Sequence, residues 1–408
     1  MTRSWAAGPF AVDYEQRVDF SALRAGRLAR ARAQMRGHGL DALLVWKDEN
    51  VRYLTSLRPQ LIAGKSGLLS GALLLPEGDP ILFASGGDAD RAQRAMPWLA
   101  EIHAIPILEE RGLVDHFVRV ILADVLRRQR LDAACIGIDL ASQTLHDALR
   151  ERHPRVQWTD GDAAMQAARL TKLPEEVVLV EEAVAIAEAV TQAALDALRP
   201  GVRELDVAAE AMRTLYHLGG EYAHVTTPFV ASGERMAPPT RLATDKVIRH
   251  GDLVFIDIGA MWNGYFADVG RTAICGEPSA EQRRIFRAAH EAHHSGIEAM
   301  RPGATTADVA RAIRRAAEAH ALAGRFLTLF MGHGIGVGAN EPPYVGEPFP
   351  GAAEVALQPG MLFAMEPLIW VPDVPGGGGV RFEDMVLITE QGPRRLSRLP
   401  YDRALLAG

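Results

Sequence analysis

The acidic and imidazole side chains in the second half of the 408-residue chain carry the chemistry to be read first. In "LVFIDIGAMWNGYFADVGRT" two β-rich runs flank Asn263-Gly264, a strong short hairpin signal. With that turn, Trp262 faces Tyr265 and Asp257 faces Gly270. Asp268 then lies two residues from Asp257's partner, so both carboxylates are expected on one sheet face as diagonal neighbours. Two acids among Val, Ile and Phe repel each other and lose solvation. A cation resolves that conflict. The bland alternative makes each Asp a turn cap, but caps belong at chain bends and not mid-strand. Glu366, ending "GMLFAMEP", and Glu383, in "GGVRFEDMVLIT", sit in similar apolar surroundings. His333 stands between glycines in "MGHGIGVGANEPPYV", seven positions before Asn340. Four carboxylates and one imidazole form an oxygen-rich set suited to Mn, Co, Fe or Zn, often as a two-metal site.

The elements that must position these groups fall into two regions. "RLARARAQMRGHGLDALLVW" suggests a helix, a glycine stop and a buried strand. "ENVRYLTSL", "SGALLLPEGDPILFAS" and "AACIGIDL" continue as β-rich runs, with helical patterns in "HFVRVILADVLRRQ" and "SQTLHDALRERH". Residues 1–160 therefore read as a small α/β domain. Two helical patterns split at Lys172-Leu173-Pro174 open a second region, 161–408, where amphipathic helices alternate with strand pairs in an α+β layout. Four consecutive glycines, Gly376 to Gly379, suit a turn that returns the chain antiparallel from Glu366 toward Glu383. "MRPGATTADVARAI" echoes "LRPGVRELDVAAEAM", which hints at a duplicated half-domain.

Composition excludes several classes. A net charge of -7 argues against nucleic-acid and anionic-membrane partners. Cys135 and Cys275 are the two cysteines, so no disulfide framework or cysteine zinc cluster is expected. No apolar run approaches a membrane span, and the first residues lack the apolar core of a signal peptide, so a cytoplasmic location is expected.

The ordered motifs resemble the pita-bread metallohydrolases: Xaa-Pro aminopeptidase, prolidase and methionine aminopeptidase, with creatinase as a relative. The resemblance covers roughly residues 165 to 400, and the α/β region matches the N-terminal domain of the creatinase and Xaa-Pro branch. It implies the metal ligands Asp257, Asp268, His333, Glu366 and Glu383 around two divalent ions. Asp257 would chelate one ion, Asp268 and Glu383 would bridge both, and His333 and Glu366 would bind the other. Glu366 would also manage the proton of the attacking water. A homodimer acting on a short peptide or small molecule is implied as well.

Two positions depart from that pattern. The family's substrate-facing histidines fall at Thr240, eleven residues before Gly251, and at Asn340 in the "HGIG…HE.P" motif. Neither replacement titrates near neutral pH, although Asn340 can donate a hydrogen bond to a carbonyl. A peptidase tolerant of both changes and a hydrolase of a specialised non-peptide amide are therefore both expected readings. A metal-dependent lyase on a small zwitterion and a silent metal-binding homologue are the alternatives. His224, in "GEYAHVTTPFV", could supply a substitute imidazole. "HEAHH", His290 to His294, fits the H-E-x-x-H zincin signature, but no third ligand follows and the helix shows an ordinary core stripe.

Overall fold

The computed structural model describes residues 15–58, 69–225, 227–236, 242–326, 330–346 and 354–407. Packing divides the chain into two units, Met1–Arg169 and Leu170–Gly408. Among the described residues no helix is long and apolar enough to cross a membrane.

The first unit is built on six strands: β1 (Ala42–Val45), β2 (Ser70–Leu74), β3 (Ile81–Ser85), β4 (Ile102–Ile105), β5 (Cys135–Ile138) and β6 (Gln157–Asp160). They form one mixed sheet in the order β4-β3-β2-β1-β5-β6. Fully buried strand residues such as Leu44, Leu73 and Phe83 pack with Trp46 and Phe117 into its core. One expected strand is a helix: "ENVRYLTSL" contributes to Asp48–Thr55. Asp48 and Glu49 favour the helix N-terminus, and Val51, Leu54 and Thr55 recur at helical spacing where alternation alone suggested a strand.

The second unit contains β7 (Phe229–Ser232), β8 (Asp252–Asp257), β9 (Ala260–Trp262), β10 (Tyr265–Ala267), β11 (Gly270–Cys275), β12 (Phe330–Gly334), β13 (Glu341–Gly346), β14 (Leu362–Met365), β15 (Leu368–Trp370), β16 (Gly379–Arg381), β17 (Asp384–Thr389) and β18 (Gly392–Arg395). Strands β11-β8-β7 form one sheet and β13-β12-β14-β17-β18 another. Helices Ala280–Ala299 and Thr306–Glu318 start at Ser279 and Thr305, each with a capping box. Their apolar faces, including Ile285, Ala289, Val309 and Ile313, share one core with Phe363, Met365, Val386 and Ile388.

The sequence echo has a structural counterpart. Gly201 N–H bonds to Ile248 O at 2.9 Å, and Gly303 N–H bonds to Leu357 O at 2.9 Å. Arg203 bridges Val247 as Thr305 bridges Ala356. Each segment then passes a positive-φ glycine, Gly251 or Gly360, into a buried strand, β8 or β14. Asp257 ends the first of these strands and Glu366 follows the second. The two matching segments thus each deliver one acid to the same region.

Candidate metal centre

The hairpin register is as the Asn-Gly turn requires: Trp262 pairs with Tyr265 and Asp257 with Gly270. Asp268 is not mid-strand, however. It lies in the two-residue break between β10 and β11, because the ladder is interrupted between β8–β11 and β9–β10. Gly270 also exchanges backbone bonds with Glu383, Gly270 N to Glu383 O at 3.3 Å and Glu383 N to Gly270 O at 3.0 Å. A Cβ on Gly270 would stand 3.1 Å from the Glu383 Cβ, so a glycine lets the two sheets meet here. That meeting sets Glu383 beside Asp257. His333 pairs with Ala364 across β12 and β14, and the Glu366 N–H reaches Met331 O at 2.8 Å, bringing the other two ligand candidates to the same line.

The five side chains converge. His224, Asp257 and Asp268 present ligand atoms all within 4.8 Å of one another, as do Asp268, His333 and Glu383. Asp268 is common to both groups. Glu366 joins the second, its Oε1 3.4 Å from His333 Nε2, with Glu383 Oε1 at 3.9 Å. All five acids and imidazoles of the expected ligand set are buried. Burial, then Glu383 and Asp257, holds the Asp268 carboxyl well above its ordinary range. Burial, then Asp257 and Glu366, does the same for Glu383. No N–H or O–H donor among the described residues reaches Asp268 Oδ1 or Glu383 Oε1. Such buried acceptors, aimed inward and crowded by like charge, fit divalent cations. The His333 Nδ1–H donates to Gly334 O at 2.9 Å, which leaves the Nε2 lone pair toward the carboxylates, the orientation a metal-binding imidazole needs.

Arg381 is the residue that motif reading missed. Its buried Nη2 lies 2.6 Å from Asp257 Oδ2 and 3.1 Å from Glu383 Oε2, and it also contacts Glu366 Oε2. The guanidinium gathers the outer oxygens of three acids and leaves the inner oxygens facing the imidazoles. Burial opposes its charge, but Glu366, Asp257 and Glu383 outweigh burial and raise its pKa. A sequence signal existed. In "VRFED" Arg381 stands two residues before Glu383, and alternation along an extended chain puts i and i+2 on one face.

The remaining expected residues lie elsewhere. Thr240 is outside the described residues. Asn340 is exposed just before β13, and its carboxamide makes no hydrogen bond among the described residues. His224 is at the site, in a bend and not a strand; Pro228, which cannot donate to a ladder, precedes β7 at Phe229. The zincin reading fails. His294 Nδ1 turns back to its own helix at His290 O, Glu291 pairs with His320, and burial, then His294 and His293, pushes the His290 imidazole down to about 4. The histidine of "HEAHH" that is wholly buried is His293, whose Nε2 bonds Asp384 Oδ2 at 2.8 Å in a structural network.

Comparison with known proteins agrees with this architecture. Residues 178–390 match the model of metallopeptidase family M24, and residues 27–171 match the creatinase/prolidase N-terminal domain. The chain belongs to metallopeptidase family M24 and has its pita-bread fold. It is 29% identical over 374 residues to an Xaa-Pro dipeptidase of Pyrococcus furiosus, covering 91% of this chain and 97% of that one. It is 32% identical over 410 residues to the probable dipeptidase PepE of Mycobacterium tuberculosis, covering 93% and 95%. Among solved structures, the Xaa-Pro dipeptidase from Bacillus anthracis superposes with a TM-score of 0.78 at 25% identity, covering 93% of this chain and 99% of that one. The prolidase from Pyrococcus horikoshii gives 0.76 at 26%, covering 92% and 99%.

Proposed function

We propose that this protein hydrolyses the C–N bond of a short Xaa-Pro-type dipeptide, using two divalent ions held by Asp257, Asp268, His333, Glu366 and Glu383. The observation that carries the reading is the buried convergence of Asp257, Asp268, His333, Glu366 and Glu383 where two sheets meet, with Asp268 Oδ1 and Glu383 Oε1 left without donors among the described residues. When bound, Mn, Co, Fe or Zn in such a site supplies Lewis acidity toward an amide carbonyl and acidifies water. Glu366 accepts and relays the proton, being the acid next to His333 on the β14 side. Arg381 keeps Asp257, Glu366 and Glu383 converged. Asn340 donates a hydrogen bond to a substrate carbonyl but cannot shuttle a proton, and neither can Thr240, which stands in the sequence where the family has its other substrate histidine. The protein is expected to act as a cytoplasmic homodimer.

A second reading, a specialised non-peptide amide as substrate, is favoured by one observation: both substrate-facing histidine positions hold residues without a titrating ring. One experiment addresses both. The purified protein is loaded with Mn²⁺ or Co²⁺ and offered a panel of Xaa-Pro dipeptides beside proline-free dipeptides and small N-acyl amides. Proline release, abolished in Glu383→Gln together with metal binding, is the expected result. Amide cleavage without proline release favours the second reading. A protein that binds no divalent metal overturns both.

A further inference from the structure

We propose that His224 presents a fixed Nε2–H dipole that positions the Asp257 carboxylate, and is not a further metal ligand. The inference rests on the metal-site reading above and concerns a residue outside the five-ligand set. Its Nε2 lies 3.6 Å from Asp257 Oδ1, and its Nδ1 lies 3.5 Å from Asp268 Oδ1. Distance alone invites ligation, since two ligands on one ion with bonds of about 2.1 Å stand roughly 3.4 Å apart in tetrahedral geometry.

The hydrogens decide otherwise. The Gly259 N–H donates to His224 Nδ1 at 2.8 Å, which makes Nδ1 the acceptor and puts the ring hydrogen on Nε2. A nitrogen that carries a hydrogen has no lone pair for an ion. Ligation through Nε2 would move the hydrogen to Nδ1, setting two donors against each other at 2.8 Å. His333 is the opposite tautomer: its Nδ1 faces a carbonyl, so its Nε2 is the acceptor. The backbone thus assigns the two imidazoles different work, one to bind and one to donate.

The local structure is built to hold that tautomer. A Cβ at position 259 would sit 2.9 Å from His224 Nδ1 and 2.5 Å from Ala267 O, so glycine is needed for the backbone to reach the ring. The ring also packs edge-to-face on Phe229, centroids 5.5 Å apart. At 3.6 Å the Nε2–H is longer than a hydrogen bond from Asp257 Oδ1, and acts as a dipole aimed at a fully buried carboxylate. Arg381 holds the other oxygen, Oδ2, at 2.6 Å. A hydrogen bond at Oδ2 and the ring dipole at Oδ1 together bias the rotation of Asp257, the task that outer partners perform for metal-ligating carboxylates.

The test uses His224→Ala and His224→Gln, the amide nitrogen of Gln standing close to where Nε2 stood. Mn²⁺ affinity by calorimetry is expected to fall about 10- to 100-fold in the Ala variant and to recover largely in the Gln variant. The metal-free form of both variants should still unfold in one cooperative thermal transition, which separates loss of affinity from loss of the fold. X-ray absorption of the Co²⁺-loaded protein should count the same number of imidazoles per ion in wild type and His224→Ala. A lower imidazole count in the variant makes His224 a ligand and overturns the proposal. Unchanged Mn²⁺ affinity in His224→Ala, or a Gln variant no better than Ala, overturns it as well. The underlying metal reading fails separately, through a wild type that binds no metal or a His333→Ala variant that binds it normally.

Discussion

Glu383 and Asp384 are adjacent, both fully buried, and chemically opposite. Extended backbone sends consecutive side chains to opposite faces. Glu383 enters a cluster with Asp257, Asp268 and Glu366, and burial, then Asp257 and Glu366, raises its pKa well above the ordinary range. Asp384 receives Arg271 Nη2 at 2.9 Å, His293 Nε2 at 2.8 Å, Ser397 Oγ at 2.6 Å and Tyr401 OH at 2.7 Å. Burial pushes Asp384 up, yet Arg271 and then the His293 hydrogen bond overcome it and hold the acid well below the usual range. Burial does not distinguish the two sites; donor count does. The fold satisfies one acid completely, and it leaves inward oxygens of the other cluster without donors, in the arrangement that suits cations.

The comparison breaks most visibly if Asp384 proves unimportant to stability. Arg271 also donates to Gly270 O, Glu383 O and Leu399 O, so it ties the acid to the junction of the sheets. Arg271→Met strands a buried carboxylate, and such removals cost about 3–5 kcal/mol. Urea unfolding should show a loss of that order, with or without metal. A loss under about 1 kcal/mol would mean that the network is not what stabilises this region.

Arg381 sharpens the contrast, because its cluster has a second possible source of positive charge. In the metal-free protein, Arg381→Met leaves three converging acids without their guanidinium, a cost of about 3 kcal/mol by the same reasoning. Added Mn²⁺ should recover part of this, so the metal-induced rise in Tm should be larger in Arg381→Met than in wild type. Arg271→Met should show no such enlargement. Equal metal-induced shifts in all three proteins would show that Arg381 and the ions do not act on the same carboxylates.

Much of this was legible in the sequence, for reasons particular to each residue. The Asn263-Gly264 turn fixes its hairpin locally, so the Asp257–Gly270 register followed from counting. The Pro-Gly echo, the capped helices and the ordered acidic motifs are likewise local patterns. The short helix Asp48–Thr55 was not legible, because eight residues with two β-branched side chains suit either period. Asp268 was assigned the right neighbour but the wrong backbone, since ladder breaks arise from the meeting of strands. The Asp384 network joins residues 271, 293, 384, 397 and 401, whose spacing carries no motif. Tautomers were also beyond reach: the roles of His224 and His333 depend on whether a backbone N–H or a C=O faces Nδ1.

Ser397 supplies the smallest and most specific test of the comparison. Its hydroxyl donates to Asp384 Oδ1 and accepts the Met385 N–H at 3.1 Å. Ser397→Ala removes one of four short donors and should cost about 1–2 kcal/mol near neutral pH. The pH dependence carries the sign. Asp384 has a native pKa below its ordinary value of 3.8, so its contribution is present in full above that value and is lost as pH falls through the native one. The stability gap between wild type and Ser397→Ala should therefore hold above about pH 5 and narrow as the solution becomes more acidic. Glu383 carries the opposite sign in the metal-free protein. Its native pKa lies above the ordinary 4.5, so metal-free stability falls as pH rises from there toward the native value; Asp268 shares that sign, and Glu383→Gln should make the decline shallower. Opposite slopes from neighbouring residues would separate the satisfied acid from the acid of the donor-poor cluster without any assay of turnover; slopes of the same sign would mean that the two faces of this strand are electrostatically alike.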